Sequence, residues 1–92
     1  MNTLKHGDRE ITVLAERTVH AAPLCLRYRL ECDDGLWISV ESGLDRERVL
    51  LGSDLEAVWL LFCACVRGNV TPCTLEDVCM DFLYARANCS AL

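Results

Sequence analysis

The stretch Leu24-Cys25-Leu26-Arg27-Tyr28-Arg29-Leu30-Glu31-Cys32-Asp33-Asp34-Gly35-Leu36-Trp37-Ile38-Ser39-Val40-Glu41 decides the fold. Leu24, Leu26, Tyr28 and Leu30 alternate with Cys25, Arg27, Arg29 and Glu31, and a second run sets Leu36, Ile38 and Val40 against Trp37, Ser39 and Glu41. A period of two places each set on one face of a strand. Asp33-Asp34-Gly35 between the runs signals a hairpin. A two-residue loop would set Leu30 opposite Ser39 and mix the apolar row with the polar one. A three-residue loop sets Leu30 opposite Ile38 and Tyr28 opposite Val40, with Gly35 in the left-handed conformation at a bulge. The same register puts Arg27 opposite Glu41 and Glu31 opposite Trp37 on the other face. Arg29 is then the diagonal neighbour of Trp37, close enough to lie over the indole.

Working outward, residues 10–19 are rich in β-branched side chains and predict a preceding strand, although the alternation falters around Leu14 and Ala15. Ala22-Pro23 marks the turn between the two. Ser42-Gly43-Leu44-Asp45 is the next turn, leading to a short antiparallel edge strand over residues 46–51. The expected sheet is an antiparallel β-meander of three or four strands.

The period then changes from two to that of a helix. Ser53 with Glu56 reads as a capping box opening a helix over residues 53–67, and Gly68-Asn69 ends it. Leu55, Val58, Trp59, Phe62 and Val66 form one stripe, but Leu60, Leu61, Cys63 and Cys65 carry apolar character round most of the circumference. A second helix is expected over residues 74–87, with Thr74 as cap, Cys73 and Val78 as a hydrophobic staple, and Leu75, Val78, Cys79, Phe82 and Ala85 toward the core. The result is one α+β domain over residues 1–92, both helices packing on the single apolar face of the sheet, with residues 1–9 and 88–92 frayed.

The charged short strand, the capped leucine-rich helix and the run Val70-Thr71-Pro72-Cys73-Thr74-Leu75-Glu76-Asp77-Val78, followed by Asp81-Phe82, resemble an uncharacterised family of short proteins from clostridia and related Gram-positive bacteria. The likeness is best over residues 49–83. The family is a domain of unknown function, so the resemblance implies a cytoplasmic bacterial protein and carries over no catalytic residue.

Composition narrows the function further. Nine basic against fourteen acidic residues give a formal charge of −5, which repels phosphate backbones and anionic headgroups on average, so neither nucleic acid nor membrane is an expected partner. The most apolar stretch, residues 55–66, is broken by Glu56 and is far shorter than the ~20 residues a bilayer requires. Residues 1–9 are polar with no apolar run of a secretion signal behind them, and a cytoplasmic setting is expected. Seven cysteines cannot all pair within one molecule, and they read as free thiols, mostly packed as small hydrophobes.

No cofactor or metal is expected. Cys63 and Cys65 point about 200° apart on a helix, and the spacing of Cys73 and Cys79 does not match a zinc knuckle. Cys25, Cys32 and His20 converge only if the tertiary structure brings them together. The glycines are isolated and punctuate turns rather than cradle phosphates. Cys73 is the one candidate nucleophile, because it sits beside a helix N-terminus. The leading expectation is a non-enzymatic protein-interaction or regulatory module that self-associates through helix 53–67, where Leu60 and Leu61 exceed what the sheet and second helix can cover. An exposed outer cluster of Arg27, Arg29, Trp37 and Glu41 offers a further protein a tryptophan anchor. The alternative is a small thiol-dependent enzyme or redox protein using Cys73.

Overall fold

The structure, a computed structural model, describes residues 2–6 and 9–90, with side chains over 10–86. Five antiparallel strands follow one another in chain order across a single sheet: β1 (Asn2–His6), β2 (Arg9–Ala21), β3 (Leu24–Cys32), β4 (Leu36–Ser42) and β5 (Asp45–Leu50). Two helices follow, α1 (Leu55–Arg67) and α2 (Pro72–Ser90). The protein is thus α+β, a β-meander with two C-terminal helices.

Among the described residues, strand and helix reach further toward the chain ends than the sequence suggests. Asn2–His6 pairs with the start of β2 instead of fraying, and α2 continues through Ser90; residues 91–92 lie outside the described residues.

The central hairpin has the register its two apolar rows require. Leu30 pairs with Ile38, Tyr28 with Val40, Arg27 with Glu41 and Glu31 with Trp37 across the loop 33–35. Gly35 takes the positive φ expected of it (131°), and Asp34 before it is left-handed as well (φ 51°). Aspartate tolerates the left-handed region by bonding locally through its side chain, so the loop can hold two positive-φ residues in succession. Gly35 is required for a further reason, since a Cβ there would come within 2.9 Å of Leu50 Cδ1 and 3.3 Å of the Gly52 carbonyl.

Leu26, Tyr28, Leu30, Leu36, Ile38 and Val40 line the helix side and join Val58, Leu61, Phe62, Cys65, Leu75 and Cys79 in one buried cluster. Leu24, at the strand's end, is exposed. α1 packs over β3 and β4, whereas α2 packs over β5 and β4 and touches α1. The Tyr28 hydroxyl donates to the Val70 carbonyl at 2.9 Å, which ties the inter-helix connection to the middle of the sheet.

Helix ends differ from the expected caps by a few residues. Asp54, not Ser53, accepts from the Ala57 N–H and caps α1. Ser53 and Asp54 are both good acceptors, and the carboxylate also reaches Arg86 of α2 at 2.8 Å. Thr71 rather than Thr74 precedes α2, because Pro72 suits the first helical position, where its missing N–H costs nothing. Thr74 instead reaches back, accepting from the Thr71 N–H at 3.2 Å. Ala85, expected toward the core, is exposed.

β2 explains its own faltering alternation. Its register with β3 steps from Val13↔Glu31 to Ala15↔Leu30, leaving Leu14 as the extra residue of a bulge. Before the bulge, Ile11 and Val13 share the face of Glu31 and Trp37; after it, Ala15, Arg17, Val19 and Ala21 share the helix side. Ile11 and Val13 are buried yet stand outside the main cluster. The outer face therefore has an apolar patch of its own, where the sequence predicts one apolar face only.

Candidate interaction surface

On the outer face the pleat brings arginines and acids of four adjacent strands together. Arg29 bonds Glu16 at 2.8 Å and lies 3.6 Å from Glu41, while Arg27 approaches Glu41 at 3.9 Å. Arg48 donates to Glu31 at 2.6 Å and to Asp33 at 3.2 Å. Glu31 is only 4% exposed, and its second oxygen accepts from the Ser39 hydroxyl at 3.1 Å. Two positions read as solvent-facing are thus buried and satisfied by one another, as buried polar groups generally are.

Trp37 lies on this face, in alternation with the buried Leu36 and Ile38, yet it is half-buried rather than an open anchor. Its covering arginine is Arg48, 3.8 Å above the ring, and not Arg29, which is held by the two glutamates. Its indole N–H donates to the Asp33 carbonyl at 2.8 Å. The exposed cluster expected of Arg27, Arg29, Trp37 and Glu41 is therefore a network of mutually paired groups in which Arg27 alone is well exposed.

Helix α1 presents the contrasting surface. Ala57, Val58, Leu61, Phe62 and Cys65 face the core, so Leu61 is unavailable for contact. Leu60 is 62% exposed, Leu55 53% and Trp59 38%. Trp59 stacks on Phe62 with ring centres 5.6 Å apart. Together with Cys63, Val66 and Arg67 these rings border a groove of about 200 Å3, whose opposite wall is Arg17 of β2. Burial on one side of a helix that is apolar nearly all round leaves this flank to water. Leu55, Trp59 and Val66 lie near one another on the helix by its periodicity and mark the flank nearer β2.

Cys73 is exposed in the first turn of α2, its sulfur 3.3 Å from the Thr71 hydroxyl. It borders an open cleft of about 430 Å3 shared with Leu24, Asp45 and Arg46. Among the described residues no imidazole or carboxylate bonds this thiol. His20 stands opposite Cys25 instead, and among the described residues no three His, Cys, Asp or Glu side chains converge to hold a metal.

The thiols divide by location. Cys65 and Cys79 are buried and Cys63 partly so, but Cys25, Cys32 and Cys73 are exposed, against the expectation that most pack inside; the side chain of Cys89 lies outside those described. Among the described residues, no helix is long and apolar enough to cross a membrane.

Comparison with known proteins gives no matching family, no matching curated protein and no matching solved structure. Leu60 was legible from the helical period; the pairing of Arg17 with the Trp59 flank was not, because a phase break in β2 decides which way Arg17 points.

Proposed function

We propose that this protein is a non-enzymatic interaction module that self-associates through α1, working in the cytoplasm of a bacterium as the resemblance of residues 49–83 implies. The observation that carries the reading is the apolar surface that α1 leaves open: Leu55 and Trp59 stay exposed on the flank bordering the Arg17 groove, and Leu60 stays exposed further round the helix, beside Arg86. Large apolar side chains grouped on one helix mark contact surfaces more often than isolated ones do. Light scattering at micromolar concentration and near-neutral pH tests the proposal: a mass above that of one chain is expected, and a monomer throughout would remove self-association.

A further inference from the structure

We propose that a second copy of this chain docks on the free edge of β2, its own β2 running antiparallel about a two-fold axis through Thr18, so that two sheets become one. The proposal rests on the self-association reading and adds a strand-edge contact beside the α1 surface.

β1 pairs with β2 only as far as Asn2↔Val13, whereas β3 pairs with β2 from Thr12 to Ala21. From the bulge onward, one edge of β2 carries no strand among the described residues. Such an edge is a template for another strand unless it is short, charged or covered. Here it is long, and only Glu16, Arg17 and His20 bear ionisable groups along residues 15–21. The Glu16 carbonyl takes a 2.8 Å bond from the Arg17 guanidinium, which assigns it to this edge. By the alternation of the ladder, the N–H and carbonyl of Thr18 and of His20 point the same way.

The residues along the edge select both the occupant and its register. A two-fold axis normal to a sheet matches residues of the same face, so it must pass through a residue. Centred on Glu16 or on Arg17 it would stack a charge directly on its own copy, which is unfavourable. Centred on Thr18 it sets hydroxyl against hydroxyl, Glu16 against His20, Arg17 against Val19 and Ala15 against Ala21. That register fills residues 15–21 and ends where β1 begins, so β1 and the incoming strand occupy consecutive parts of one edge without overlap. An acid facing an imidazole and a small residue facing a small residue make the edge complementary to itself. On the helix side Arg17, which this register sets opposite Val19 of the second copy, also borders the groove beside Trp59 of α1.

Sedimentation velocity on the full chain, with Thr18→Pro and Thr18→Cys, tests this. Proline removes the edge N–H at the axis, and the dimer dissociation constant is expected to rise by at least about tenfold, since two symmetry-related hydrogen bonds are lost. With Thr18→Cys, oxidised glutathione should join two chains through position 18 of each, identified by peptide mapping so that links through Cys25, Cys32 or Cys73 are told apart. A dimer that forms no such link, and that a folded Thr18→Pro leaves equally tight, overturns the edge while leaving self-association through α1 standing. A monomer at every concentration overturns both. Circular dichroism establishes the folding of each variant, and if Thr18→Pro does not fold, the position-18 link decides alone.

Discussion

The guanidinium of Arg48 lies over the indole of Trp37, 3.8 Å from the ring centre, while its Nε holds Glu31 at 2.6 Å. One side chain from β5 thus closes the outer face across β4 and β3. Truncating it uncovers the indole and leaves the buried Glu31 carboxylate with Ser39 alone. Arg48→Ala is expected to cost about 2 kcal/mol, below the full loss for a wholly buried pair because Arg48 is partly exposed. Arg27→Ala, at an exposed pair, should cost less than about 0.5 kcal/mol. Urea titration measures both, and equal costs would show that Arg48 only decorates the surface.

Tyr28 is the second point of leverage, because its buried ring carries the side-chain bond described from the sheet to the turn between the helices. Tyr28→Phe keeps the packing and strips the Val70 carbonyl of its donor. A loss of about 1–2 kcal/mol is expected. Hydrogen exchange should also quicken around residues 68–72, and an unchanged exchange pattern would mean that the turn is held by packing alone.

Acid should loosen the end of α1. The Ala57 N–H, and then Arg86, hold the Asp54 carboxyl below its usual range. The unfolded chain therefore takes up this proton at a higher pH than the folded one. The stabilisation is complete above the ordinary aspartate pKa, about 3.9, and is lost as pH falls through the depressed folded value. Asp54→Asn keeps a good cap but no titrating charge. Its stability should change little at pH 7 and should fall less steeply on acidification, as thermal melts across the acid range would show. A slope equal to that of the parent chain would locate the acid sensitivity elsewhere.

Burial pushes the Cys65 thiol up to about 11 and the Cys79 thiol to about 12. Iodoacetamide at pH 8 should label Cys25, Cys32 and Cys73 in the native protein and reach Cys65 and Cys79 only with unfolding, as mass spectrometry of timed samples would resolve. Above the ordinary thiol pKa the unfolded chain ionises these two groups and the folded chain does not, so stability should decline as pH rises past that range. Early labelling of Cys65 or Cys79 would contradict the packing of α1 against α2.

The hairpin was legible because two rows of alternating residues and an odd loop length allow one register only. β1 was not, since Asn-Thr-Leu-Lys-His is too short and polar to alternate clearly and gains its place by pairing with β2. The step at Leu14 shows in the sequence as an imperfect alternation, but nothing local says that the strand changes faces there. α1 was legible as a helix with surplus apolar surface. Which part of that surplus is surface, Leu60 but not Leu61, depends on how the helix rolls against β3. Arg48 and Glu31 lie far apart in sequence on strands of different phase, and their meeting follows from sheet order rather than from any motif.

The bulge at Leu14 makes β2 a strand with two allegiances. Its first part turns its aliphatic side chains toward Trp37 and its last part toward α1, so one continuous backbone stitches the two apolar regions on either side of the sheet. The parity of every position on either side of Leu14 is set by that single extra residue. Drawing Leu14 into a regular ladder opposite Glu31 would set Val13 opposite Cys32 and swing Ile11, Val13 and the β1 paired with them to the helix side, whereas deleting Leu14 would leave Val13 opposite Glu31 and the N-terminal hairpin on its present face.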